Sequence, residues 1–198
     1  MKTSESIRIL GIDPGSRKTG FGVVDFHFER RQITHVASGV LRLDVDQELP
    51  ARITELSFRL QKVLADHRPY KVVLEDIFLS ENARSALILG QARGAVLATV
   101  GMAGVEVVSF SSTSVKLAVT GTGRASKLQV AEMVRLLLSL EKKPAEDAAD
   151  ALALAISYGQ RFMGSLGVEA HKMPKPKALS KKQKQQALYS LALAQGKL

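Results

Sequence analysis

The sequence predicts an α/β domain built on a mixed five-stranded sheet flanked by helices, with a basic C-terminal tail. Three observations carry this expectation. The first third of the chain reads as strands, over 9–12, 21–24 and 32–43. Helical and strand patterns then alternate from Pro50 to Phe162, the order produced when helices cover a sheet. Finally, seven lysines and no acid follow Glu169.

Taken in order, Ile9, Leu10 and Ile12 form an apolar first strand that ends on Asp13. Pro14, Gly15 and Gly20 make a turn cluster, and Phe21, Val23 and Val24 return as the second arm of a hairpin. "QITHVASGVLRL" (32–43) is a third strand with less regular alternation. The period then becomes helical: Ile53, Leu56, Leu60, Val63 and Leu64 share one face. Pro50 suits the first turn of that helix and Pro69 follows its end. "KVVLE" (71–75) is a short, continuously apolar strand ending on Glu75.

Ser80 is placed to cap a long helix over 81–102, with Leu87, Ala95, Leu97 and Ala98 among its small and apolar positions. "VEVVSF" (105–110) is the fifth strand. Helices over 111–120 and 126–140 are hinged at Gly121 and Gly123, and Ser126 with Gln129 makes a capping box. A last helix covers 144–162, with Pro144 in its first turn. Residues 164–177 are rich in Gly, Pro and Lys and read as a linker, followed by a short stripe of Ala187, Leu188, Leu191 and Ala192. The expected division is therefore a domain over 7–163 and a basic linker with a short helix over 164–198.

Composition bounds the function. A chain of 198 residues with 45% hydrophobic content fits one soluble globular domain with an appendage. Cysteine is absent, which removes disulfides and thiolate metal sites and fits a reducing cytoplasm. The polar start "MKTSES" is no secretory leader, and the most apolar stretch, 94–108, falls short of a membrane span and carries Glu106. The expectation is a cytoplasmic protein with no membrane segment. Net charge is +9, but without the tail lysines 21 basic residues nearly balance 19 acidic ones. A basic tail fits a polyanionic partner such as nucleic acid or an acidic membrane surface, and equally a solubilising terminus.

Asp13 and Glu75 each end an apolar strand. If those strands are parallel neighbours, both acids emerge at the carboxyl edge of the sheet, where open α/β sheets place their sites. Asp147 and Asp150 stand three apart near the start of a helix and share a face, among alanines that permit close approach. The plainer accounts are an Asx turn at Asp13 and, for the pair, acids that complement a helix dipole. The dipole accounts well for Glu146 and less well for Asp150. Four carboxylates in one pocket would repel one another; a hard cation removes the conflict, and oxygen ligands favour Mg²⁺ or Mn²⁺. His27, His35, His67 and His171 are scattered as surface or loop residues and make no zinc pattern.

"ILGIDPGSRKTGFGVVD", "VVLEDIFLSENARSALILGQARG" and "DAADALALAI" together resemble the RuvC family of Holliday-junction resolvases, over about 9–162. The resemblance implies an RNase H-like fold, a homodimer, and symmetric cutting of four-way DNA junctions in recombination and repair. It implies that Asp13, Glu75, Asp147 and Asp150 bind two metal ions, Mg²⁺ with Mn²⁺ as substitute. Two such ions activate water and stabilise a leaving 3′ oxygen, leaving 5′-phosphate and 3′-hydroxyl ends. Phe78 matches an aromatic residue that stacks on unpaired bases, although alone it reads as a core Phe; Lys116 and Lys127 match lysines near the scissile phosphate. Asp76 should point away from the metals by strand alternation. Cooperation with the RuvA–RuvB branch-migration complex is also implied.

Two other classes compete. The first loop also resembles a phosphate loop of the actin and sugar-kinase superfamily, but the duplicated second domain of that superfamily is absent. A non-catalytic junction binder would have no use for four converging carboxylates.

Overall fold

The computed structural model describes residues 6–76 and 83–166. It contains β1 (Ser6–Asp13), β2 (Lys18–His27), β3 (Gln32–Arg42), α1 (Leu49–His67), β4 (Lys71–Glu75), α2 (Ala83–Met102), β5 (Glu106–Phe110), α3 (Ser112–Thr120), α4 (Lys127–Leu137) and α5 (Glu146–Leu166). The sheet order is β3-β2-β1-β4-β5. The β1–β2 and β2–β3 pairs are antiparallel, whereas β4 runs parallel to β1 and β5 parallel to β4. This is the expected mixed sheet of five strands.

Strand alternation divides the core into two layers. Leu10, Ile12, Val23, Val72 and Leu74 face α1 and α2, where Leu56, Leu60, Ala92 and Val96 cover them. Ile9, Val24, Phe26 and Val73 face the other side, against Leu152, Ala155 and Ile156 of α5 and the inner faces of α3 and α4. Each layer removes a full set of branched aliphatics from water, the main favourable contribution to folding.

The helix ends follow from local chemistry. Pro50 lies in the first turn of α1, and Arg68 closes that helix in a left-handed conformation with its N–H on the Leu64 carbonyl. The Ser126–Gln129 capping box is present in both directions. Several boundaries differ from expectation: β2 begins at Lys18 with Gly20 inside the strand and paired with Asp13 rather than in the turn, and α5 runs to Leu166 rather than 162. The helix α4 stops at Leu137 rather than running to 140, because Ser139 takes a φ of 52° and the Leu140 N–H closes on the Arg135 carbonyl. Pro144 precedes α5 instead of lying in its first turn; the first helical bond joins Ala149 N–H to the Ala145 carbonyl. The apolar stretch over 94–108 is also divided, between the end of α2 and the start of β5.

By length and composition alone α2 could cross a membrane. Its Ala92, Val96, Thr99 and Val100 face is buried in this fold. His27 and His35 stand on strands, partly buried, rather than in loops, and His67 is the last residue of α1. Ser80 and Phe78, the linker beyond 166 and the terminal stripe lie outside the described residues, while 164–166, expected as linker, continue α5.

Candidate active site

The register of β1 and β4 settles how their acids meet. Ile12 pairs with Leu74, so Asp13 and Glu75 are the next residue of each of two parallel strands. Alternation then selects a face. Asp13 follows Ile9 and Gly11 onto the α5 side, and Glu75 follows Val73. Asp76 is exposed beyond the strand, and its N–H donates to the Phe110 carbonyl at 2.8 Å.

The first turns of α5 lie against this face without intervening side chains. A Cβ added at Gly20 would stand 2.0 Å from the Asp147 carbonyl oxygen, and one at Gly11 would stand 1.9 Å from that of Ala151. At Gly22 an added Cβ would meet Leu152 at 2.7 Å. Glycines on β1 and β2 thus admit the helix backbone to the sheet backbone. That contact carries Asp147 and Asp150 to the strand ends bearing Asp13 and Glu75.

Asp13 reports the result. Its carboxyl is pushed up from 3.8 to about 7, first by burial, then by the charges of Asp150, Glu75 and Asp147, with Lys127 opposing. Three acids from β4 and α5 therefore act electrostatically on Asp13. Among the described residues no three acidic or histidine side chains stand at metal-ligand spacing. Two lysines pair with the helical acids. Lys18 Nζ lies 2.8 Å from Asp147 Oδ2. Lys127 Nζ lies 2.9 Å from Glu146 Oε1 and 3.2 Å from Asp150 Oδ2. Both ammonium groups are held charged above their usual range, Lys127 chiefly by its bond to Glu146 and Lys18 by its bond to Asp147. Glu146 is correspondingly held below the usual carboxylate range by its bond to Lys127.

Of the other sequence candidates, Lys127 is brought to the acids by the Ser126 cap. Lys116 sits partly buried on α3 and makes no ion pair among the described residues. Phe78 lies outside them.

Sequence reasoning missed Lys18, whose place depends on the face of β2 that meets α5. It also missed Arg93 of α2, which donates from Nη1 to the Glu75 carbonyl at 2.5 Å and from Nη2 to Ser109 Oγ at 3.0 Å. Arg93 thereby ties the end of β4 to β5; an arginine between the small and apolar residues of the helix's middle was the available signal.

Comparison with known proteins identifies the family. The family model described as crossover junction endodeoxyribonuclease RuvC matches residues 9–158. A relative of that name in Halorhodospira halophila is 48% identical over 151 residues, covering 76% of this chain and 89% of its own. Another in Magnetococcus marinus is 42% identical over 158 residues, covering 80% and 87%. The solved Thermus thermophilus RuvC superposes with a TM-score of 0.72 at 33% identity, covering 80% of this chain and 97% of that one. The same protein in complex with Holliday junction substrate gives 0.72 at 30% identity, covering 80% and 98%. The yeast mitochondrial Holliday junction resolvase, at 14% identity and a TM-score of 0.58, shares the fold, which is RNase H-like. With the family model spanning most of the chain and relatives above 40% identity, this protein belongs to the RuvC family of crossover junction endodeoxyribonucleases, which are metal-dependent nucleases.

Proposed function

We propose that this chain is a structure-selective endonuclease that resolves four-way DNA junctions in recombination and repair, with Asp13, Glu75, Asp147 and Asp150 as its catalytic metal ligands. The observation that carries the proposal is the convergence of those acids: Asp13 and Glu75 end adjacent parallel strands, and Gly20, paired with Asp13, lies against the backbone of Asp147. The donor set fits the ions expected: carboxylates alone, with no Cys in the chain. Two Mg²⁺ ions held there, or Mn²⁺ in their place, would activate a water and stabilise the leaving 3′ oxygen in line.

The chain supplies position and charge. Strand ends fix Asp13 and Glu75, while α5 brings Asp147 and Asp150 from the opposite side. Lys127 places a cation beside Asp150, where it can meet a phosphate that enters the site. Lys116 on α3 and Phe78 after β4 are assigned to the substrate, the lysine to the backbone and the ring to unstacked bases, worth about 1–3 kcal/mol of stacking. Residues 172–198, with their seven lysines, add electrostatic affinity for phosphate.

A junction with two equivalent strands requires two equivalent sites, which a C₂ homodimer provides. Each subunit nicks one strand, leaving 5′-phosphate and 3′-hydroxyl ends. The protein is cytoplasmic and works with the RuvA–RuvB branch-migration complex. The solved complex of the T. thermophilus relative with Holliday junction substrate supports the choice of DNA.

The test is incubation of the full chain with a synthetic four-way junction, beside linear duplex of the same sequence, with Mg²⁺ or with chelator. Paired symmetric nicks on the junction alone, abolished by chelator and by Asp13→Asn, Glu75→Gln, Asp147→Asn or Asp150→Asn, are expected. Cutting by any one of these variants at the wild-type rate would remove that acid from the ligand set. Equal cutting of linear duplex would refute the structural selectivity.

A further inference from the structure

We infer that Lys18 is a built-in competitor for the metal at Asp147, a positioning residue that holds this ligand in the metal-free protein and lowers its affinity for divalent ions. The inference rests on the metal-site reading above and goes beyond it, because it concerns how readily the site fills.

Three features place Lys18 there. It is the first residue of β2, on the same alternating face as Gly20 and Gly22, and so on the side that receives α5. The turn before it is braced: the Gly15 N–H donates to Thr19 Oγ1 at 3.2 Å, and that hydroxyl donates back to the Gly15 carbonyl at 3.1 Å. Thr19 itself is fully buried, so the backbone carrying Lys18 is anchored. The third is the contact itself, Nζ to Asp147 Oδ2 at 2.8 Å.

That oxygen belongs to a carboxylate assigned to a metal. A divalent ion bound by Asp147 would share it with an ammonium group in direct contact. Either the lysine leaves, losing its ion pair, or it stays, and two cations repel across one carboxylate. Both outcomes weaken metal binding. The Lys18 side chain is 49% exposed, so the pair is accessible to solvent and its effect is modest. Lys127 is less able to act on Asp147, being committed to Glu146 and Asp150.

The experiment is titration of metal-free protein with Mn²⁺, read by the spin resonance of the free ion and by calorimetry, without DNA. Lys18→Met should bind Mn²⁺ about 3- to 5-fold more tightly than wild type at low ionic strength. Lys18→Arg should restore the wild-type affinity, and the gain should shrink at 0.5 M salt as charges are screened. Lys62→Met, which removes a lysine paired with Asp66 on the outer surface of α1, is the control and should change nothing. Unchanged or weaker Mn²⁺ binding by a folded Lys18→Met overturns the inference. Wild-type protein that takes up no Mn²⁺, and is indifferent to Asp147→Asn, would instead sink the metal-site reading and this inference with it.

Discussion

Gly20 and Asp147 touch through their main chains: the α-carbon of one strand residue faces the carbonyl of a helix residue with no room for a methyl group between them. Gly20→Ala would force a Cβ to within 2.0 Å of that carbonyl oxygen, and relief requires backbone movement rather than a rotamer change. Overpacking of this kind costs about 1–3 kcal/mol or more. The expected outcome is a melting temperature lower by several degrees and junction cleavage reduced at least tenfold even where the variant is folded. Wild-type cleavage by Gly20→Ala would show that the height of α5 above the sheet does not govern the site.

Asp13 gives the metal-free protein a pH-dependent weakness. Its carboxyl ionises near 3.8 unfolded and at about 7 folded, so the folded state binds the proton more tightly. The stabilisation this provides is complete below 3.8 and is lost as pH rises through about 7. Full ionisation at pH 8 costs on the order of 4 kcal/mol at most. In chelator, Asp13→Asn should therefore melt several degrees above wild type at pH 8, with a much smaller gap at pH 5. Mg²⁺ should raise the wild-type midpoint at pH 8 and barely move the variant. A gap of equal size at both pH values would contradict the electrostatic account of Asp13.

Arg93 should matter to cleavage without touching the carboxylates' charges. Its two bonds hold the carbonyl of Glu75 and the hydroxyl of Ser109. Charge-assisted bonds of this kind contribute about 1.5–3 kcal/mol. Arg93→Ala is expected to lower the melting temperature by a few degrees and to slow single-turnover cleavage about tenfold, because the end of β4 loses its tie. Arg93→Lys, which can make one of the two bonds, should fall between. Single-turnover rates at saturating enzyme decide this, and a variant that differs from wild type only in junction affinity would reassign Arg93 to DNA contact.

We propose the outer face of α2 as the dimer contact. Leu87 is 65% exposed, Leu97 40% and Met102 45%, an apolar surface without cover in the isolated subunit. Such surface on a helix fits burial against a second copy. Leu87→Glu combined with Leu97→Glu should convert a dimer to monomers in sedimentation at micromolar concentration, with paired nicking lost and the fold retained. Wild type that sediments as a monomer both alone and on the junction would defeat the proposal.

Much of this architecture was legible in the residues. Asp13 and Glu75 stood out because each terminates an apolar run, and strand ends are where chain direction places a side chain at the sheet's edge. Asp147 and Asp150 were legible through helical spacing and the alanines around them. The Ser126 cap also followed from local bonding alone. The role of Lys18 was not readable, because it depends on which face of β2 meets a helix from the far end of the sequence. Arg93 was obscured in the same way: its partners lie at the ends of two strands that become neighbours only in the sheet. The early stop of α4 at Leu137 hinges on a left-handed serine, a conformation for which serine gives no strong local signal.

The closure of α5 over β1 and β2 has a temporal meaning during synthesis. The ribosome delivers Asp13 first and Glu75 later, yet Asp147 and Asp150 emerge only after every strand has been made. A chain that has emerged only as far as β5 has the whole sheet but two of the four acids. Domains fold largely as units while they emerge. The four acids are therefore brought together only once α5 has been made, late in the order of synthesis.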